Sequence, residues 1–319
     1  MVMPGGLRID LNDGGPVMEI TAGLRAPFFC RTTVQGYNGK SVPVDGYGAG
    51  DMAVFIPTES VRIFFFDTGL FPFTQRLASV VQSGGTLTMN TQGDRAGAPD
   101  TYQWPGQVWR ITPASQAGNS GLLISDSTDF TVLTTNGNLG SCTWYGTVTI
   151  NDSWTPPVSG IVFASWDSPS AVLENIGGTI FCSSDSGNYG DAPASVTARI
   201  AIFSNNAPVP GTGLTFLNPQ GQCTFSTTRK PFVIRSFFTP SLSWQSVGGM
   251  VPIGRYGWDV GRAEDSTSWN IGRGRGLMMS GGNVKGGRGR IVTRNDRAGW
   301  NFDSSGMSAI SLPVIPAMY

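Results

Sequence analysis

Two stretches of the chain follow one plan: GLRIDLNDGGPVMEITAGLRAPFF at 6–29 and GLTFLNPQGQCTFSTTRKPFVI at 213–234. Each opens on Gly-Leu, alternates apolar and polar residues, turns, alternates again and leaves through Arg-x-Pro-Phe. The exits are Arg25, Pro27 and Phe28 in one copy and Arg229, Pro231 and Phe232 in the other. Alternation with a period of two puts every second side chain on one face of a strand, so each copy reads as a β-hairpin with one apolar face. In the second copy Leu214, Phe216, Cys223 and Phe225 are expected on one buried face, and Asn218-Pro219-Gln220-Gly221 has the residues of a type I turn. In the first, Leu7, Ile9 and Leu11 precede the turn Asn12-Asp13-Gly14-Gly15, and Met18 and Ile20 follow it. A weaker echo, GLLISDSTDFTVLTTNG at 121–137, has the hairpin without the exit. Hairpins reused this far apart are not a solenoid repeat; they mark the starts of successive β modules.

The rest of the chain agrees. SVRIFFFD at 60–67, QVWRIT at 107–112, CTWYGTVTI at 142–150 and SVTARIAIF at 195–203 read as strands, and only TQRLASVVQS at 74–83 has apolar residues at helical spacing, which suit a strand equally. With 44 glycines, 21 prolines and 39% apolar residues, the chain suits many short strands joined by turns and has enough apolar content to avoid disorder. The expected fold is all-β, two or three antiparallel β-sandwich-like modules with a Gly/Arg-rich C-terminal segment. Turn-rich stretches at 113–121 and 205–213 place the modules at 1–115, 116–208 and 209–319.

Histidine is absent, which excludes His-dependent triads and His-ligated zinc. Cys30, Cys142, Cys182 and Cys223 are widely spaced, without a Cys-x-x-Cys pair. They read as reduced, buried thiols rather than metal ligands or disulfides, and no cofactor is expected. The opening MVMPGGLRID lacks a basic region followed by an apolar core, and no apolar stretch is long enough to span a bilayer. Folding in a cytoplasm without membrane insertion is the expectation.

From residue 241 onward there are 15 glycines and nine basic residues, eight of them Arg, against five acids. GRGRG at 272–276 and GGNVKGGRGR at 281–290 are the densest patches. A nucleic-acid clamp would need arginines pointing one way, with Trp258, Trp269 and Trp300 stacking on bases. The interspersed acids favour another arrangement, in which Arg262, Arg273, Arg275, Arg288 and Arg290 meet acids, backbone carbonyls or a partner chain at an interface, with no nucleic-acid binding. Neither a dinucleotide loop nor a phosphate loop is present. RYGWDVGRAEDSTSWN at 255–270 is the best stretch for stacking on a sugar, through Tyr256, Trp258, Asp259 and Trp269, with core or interface aromatics as the competing assignment. Paired carboxylates are the one catalytic option that needs no histidine, and nothing among the 21 acids selects a pair.

The block GLRIDLNDGGPVMEITAGLRAPFF, with the closing LPVIPAMY, resembles a family of proteins encoded in the tail-gene region of lambda-like tailed bacteriophages and related prophages. The resemblance covers mainly the first thirty residues. It implies a structural, non-enzymatic virion protein of the tail tip or tail fibre region and brings no catalytic residues. The expected partners are further copies of the chain, with a trimer favoured, and other tail proteins. A host-surface glycan or receptor is the alternative partner, and a polysaccharide-degrading enzyme the second alternative.

Overall fold

The computed structural model describes all residues except 1–5, 13, 15–16, 22–23, 35–39, 65–72, 95–102, 114–120, 123–132, 135–138, 212, 218–219 and 296–302. The expected turns at 12–15 and 218–221, the middle echo's turn and second strand, the first boundary stretch and Trp300 thus lie wholly or partly outside the described residues. Among the described residues every regular element is a β-strand, and every strand ladder is antiparallel. The segment at 74–83 is strand, not helix.

The chain runs through one plan three times. The first pass opens with the hairpin β1 (Gly6–Ile9) and β2 (Met18–Thr21) and continues through β3 (Phe28–Thr33), β4 (Ser41–Pro43), β5 (Met52–Pro57), β6 (Val61–Phe64), β7 (Phe73–Ser83), β8 (Thr86–Gly93) and β9 (Gly106–Ile111). The second opens with the pair β10 (Gly121–Leu122) and β11 (Leu133–Thr134), then β12 (Ser141–Asn151), β13 (Ser153–Trp154), β14 (Ile161–Trp166), β15 (Ser168–Ile176), β16 (Thr179–Ser184) and β17 (Ser195–Ser204). The third opens with β18 (Thr215–Leu217) and β19 (Cys223–Ser226), then β20 (Ser236–Phe238), β21 (Gln245–Ser246), β22 (Val251–Pro252), β23 (Gly257–Arg262), β24 (Asn270–Ser280), β25 (Asn283–Asn295), β26 (Ser304–Met307) and β27 (Leu312–Val314).

After the lead-in, the first strand of each pass pairs with its last: β3 with β9, β12 with β17 and β20 with β27. The last strand then pairs with the third, as β9 with β5 and β17 with β14; in the third pass the Met250–Ile315 bridge, adjoining β22 and β27, makes the same connection. The second strand of each pass lies beside a long hairpin, giving β4-β8-β7, β13-β16-β15 and β21-β25-β24. One sheet order written three times is a repeat at the level of topology. Strands on both sides of residue 208 share a sheet, because β14 pairs with β22 and β15 with β24 within a 12-stranded sheet.

The repeated exits account for the plan that the two stretches share. Arg25 and Ile234 exchange backbone hydrogen bonds at 2.8 and 2.7 Å, which joins the first exit to the third. Gly140 N–H donates to Pro27 O at 3.2 Å, joining the second exit to the first, while Phe232 N–H donates to Gly140 O at 2.7 Å and Cys142 N–H to Lys230 O at 2.8 Å. All three exits therefore meet pairwise. They enclose an aromatic cluster drawn from every pass, with Phe232 5.0 Å from Trp109 and 4.6 Å from Phe203, and Tyr319 4.9 Å from Phe203. Residue 140 is glycine because a Cβ there would come within 2.5 Å of the Trp109 ring.

One expectation about the third hairpin is corrected. Phe216 pairs with Phe225 at 5.3 Å between rings, and Phe225 is buried, but Leu214 and Leu217 are 41% and 51% exposed and Phe216 and Cys223 only half-buried. A register shift between Phe216 and Leu217 interrupts the alternation, and the side chains on the two sides of the hairpin are not sorted into one buried and one exposed face.

Candidate functional site

The glycine and arginine alternation of β24 and β25 is built around one buried acid. Glu174, on β15, is 1% exposed; its Oε1 accepts from Arg255 Nε at 3.0 Å and its Oε2 from the Arg290 backbone N–H at 2.6 Å. A Cβ on Gly289 would stand 1.9 Å from Glu174 Oε2, and one on Gly274 would stand 2.1 Å from Arg255 Nε. Glycine at these positions is what lets the carboxylate and guanidinium pack against the strands. A buried carboxylate costs several kcal/mol unless paired and hydrogen-bonded, and here both oxygens are occupied.

The arginines at the other positions turn to different partners. Arg275 donates from Nε to Trp258 O at 3.1 Å and reaches Asp259 Oδ1 at 2.5 Å, while Arg288 holds Asp259 Oδ2 at 2.8 Å and Glu264 Oε1 at 2.6 Å. Arg273, 1% exposed, donates to the carbonyls of Gly289 at 3.1 Å and Gly190 at 2.8 Å and to that of Asn188. Arg290 pairs with Asp152 and lies 5.1 Å from the Phe181 ring centroid. Asp185 and Asp191 accept the backbone N–H groups of Arg288 and Ile291, each at 2.8 Å. Four of the five singled-out arginines are thus committed to acids and carbonyls of the chain itself, and the fifth, Arg262, is exposed. The arginine side chains that line up in sequence do not converge on one open surface.

The sugar-stacking candidates separate in the same way. Tyr256 is fully buried, with its hydroxyl donating to Pro57 O at 3.3 Å, and Trp258 is 6% exposed, with Nε1 donating to Ser304 Oγ at 2.8 Å. A ring without an open face cannot stack on a pyranose, so these two are corrected from platform to core. The reason is packing: Tyr256 belongs to the main apolar core, and Trp258 packs with Val61, Ile63 and Val260 and has the Arg76 guanidinium 4.9 Å from its ring centroid. Asp259 is engaged between Arg275 and Arg288. Trp269 is half-buried and packs on Tyr189, centroids 5.1 Å apart, with Arg294 4.8 Å from the Tyr189 centroid.

The sequence reading missed Glu174 and Glu59. Glu174 is a lone acid inside the apolar strand AVLENI at 171–176, and that isolation was the available signal. Glu59 lies opposite Arg255 in a parallel bridge, and burial raises its carboxyl above the usual range. Burial also pushes the Cys30 and Cys142 thiols up to about 12 and Cys182 up to about 11, and all four cysteines are free. Among the described residues no group of three or more Cys, Asp or Glu is placed to hold a metal ion.

Residues 6–297 match the model of a family described as Family of unknown function (DUF6453). No curated protein and no solved structure matches the chain.

Proposed function

The chain belongs to the DUF6453 family, whose description names no activity, and we propose that it is a structural component of a bacteriophage tail, in the tail tip or fibre region. The observation that carries this reading is the use made of the polar chemistry. The arginine-rich end spends its charges on the chain's own acids and carbonyls, and three β passes are tied together through their exits, which is what a rigid building block needs. The resemblance of the N-terminal block to tail-region proteins supplies the setting.

Assembly as an oligomer around the tail axis, a trimer, is part of the proposal. Charged residues make up only 13% of the chain, and Val209, Leu214 and Leu217 keep 57%, 41% and 51% of their surface exposed, which suits a contact face between subunits. The enzymatic alternative finds little support: Glu59 and Glu174 both approach Arg255, but Glu174 is enclosed and out of reach of a substrate.

Mass spectrometry of purified phage particles, with native mass spectrometry of the isolated protein, tests the reading. The expected result is the chain in the tail fraction and a trimeric assembly. A monodisperse monomer absent from purified particles would overturn it.

A further inference from the structure

Where the three passes meet there is a cleft of about 320 Å³, lined by Glu59 and Pro105 from the first, Asn175 and Gly178 from the second and Arg255 from the third. A neighbouring depression bounded by Pro156 and Pro157 shares Gly160, Asn175 and Gly178 with it, so the two adjoin. The polar groups at this place are only partly used. Arg255 is 9% exposed and gives Nε to Glu174, yet among the described residues its terminal nitrogens have no hydrogen-bond partner, and the nearer stands 3.9 Å from Glu59 Oε1. The Glu59 carboxylate accepts no hydrogen bond from any described residue. Asn175 Oδ1 accepts from Gly178 N–H at 3.0 Å, which fixes the amide and leaves its Nδ2 without a described partner.

We propose that this cleft binds a neutral, hydroxyl-rich ring, one monosaccharide unit of a glycan. A free anion there would face Glu59 and a free cation would face Arg255, so neither charge is favoured. A hydroxyl group both donates and accepts, and vicinal hydroxyls match a carboxylate beside a guanidinium and an amide N–H. Pro105, Pro156, Pro157 and Ile176 supply apolar walls for the C–H faces of a ring. Among the described lining residues Glu59 is the only carboxylate, so the site has an acceptor but not the pair of carboxylates that most glycoside hydrolases use. It holds a sugar without cleaving it. The inference goes beyond the structural role and stands or falls apart from it, since it concerns the isolated chain.

Saturation-transfer difference NMR on the whole protein with glucose, galactose and N-acetylglucosamine, each added separately, is the test. Transfer to at least one sugar is expected. It should fall roughly tenfold or more in Glu59→Gln, which loses a charged acceptor, and in Ser159→Trp, which places a ring at the exposed mouth. Melting curves like that of the parent chain would show that both variants fold. No transfer to any of the three sugars, or transfer retained in either variant, would overturn the assignment.

Discussion

In the first lead-in hairpin Ile9, Met18 and Ile20 are 3%, 0% and 1% exposed, whereas in the third Leu214 and Leu217 keep 41% and 51% of their surface. The exits that follow behave alike: Phe28 is 1% exposed and Phe232 is fully buried, and both exits are tied by backbone hydrogen bonds to the segment around Gly140. The middle exit, which has no Arg-x-Pro-Phe, takes the equivalent place. What the three passes have in common is therefore the exit rather than the apolar hairpin face. Backbone hydrogen bonds need no particular side chain, so the lock persists where the sequence echo fades, while the hairpin faces are covered or left open according to what lies beside them.

Substitutions can break this comparison in order of size. Phe28→Ala and Phe232→Ala should each cost about 3–5 kcal/mol in denaturant unfolding, since both remove a buried ring from the exit; a small cost at either one would mean the exits are not equivalent. Met18→Ala and Ile20→Ala should cost about 2–5 kcal/mol as truncations of a buried face. In the third hairpin Phe216→Ala should cost less, about 1–2 kcal/mol, because the ring is only half-buried where it packs on Phe225. Leu214→Ala and Leu217→Ala should stay within about 0.5 kcal/mol of the parent, as exposed positions do. A large loss there would show that the outer face is covered within the chain.

Thiol labelling sharpens the same contrast without an energy scale. Burial pushes the Cys142 thiol, at the middle exit, up to about 12, and it raises the half-buried Cys223 thiol of the third hairpin as well. The thiolate is the reactive form, so iodoacetamide at mildly alkaline pH should leave Cys142 unmodified in the folded chain and react first at Cys223, the more accessible of the two. Modification of Cys142 before Cys223, followed by peptide mass spectrometry, would contradict the burial of the middle exit.

The all-β class was legible because period-two alternation recurs along the chain, in Leu7 to Leu11 as in Thr197 to Phe203. The hairpin echo was legible for the same reason. The sheet order was not, because β3, β12 and β20 share no sequence pattern that would announce their common place. Arg273, Arg275, Arg288 and Arg290 could be expected to meet acids or carbonyls, but several partners, Asp152, Asp185, Asp191 and the carbonyls of Asn188 and Gly190, come from the second pass, which the β15–β24 and β14–β22 pairings join to the third. For Tyr256 and Trp258 the sequence left a stacking platform and core or interface aromatics both open, because it does not show which segments pack against them. In the fold the glycine between them admits a close neighbour: a Cβ on Gly257 would fall 2.4 Å from Gly306 O. The Glu59–Arg255 cleft was invisible, since its lining comes from segments that nothing in the sequence relates.

The account's central claim is that three β passes are locked through their exits into one rigid body. Hydrogen exchange resolved at the amides of Arg25, Gly140, Cys142, Phe232 and Ile234 tests it most directly, because these N–H groups form the lock. Exchange of all five at the slow rate set by global unfolding, with a single unfolding transition, is the predicted result. Fast exchange at these amides, or separate transitions for the three passes, would contradict it.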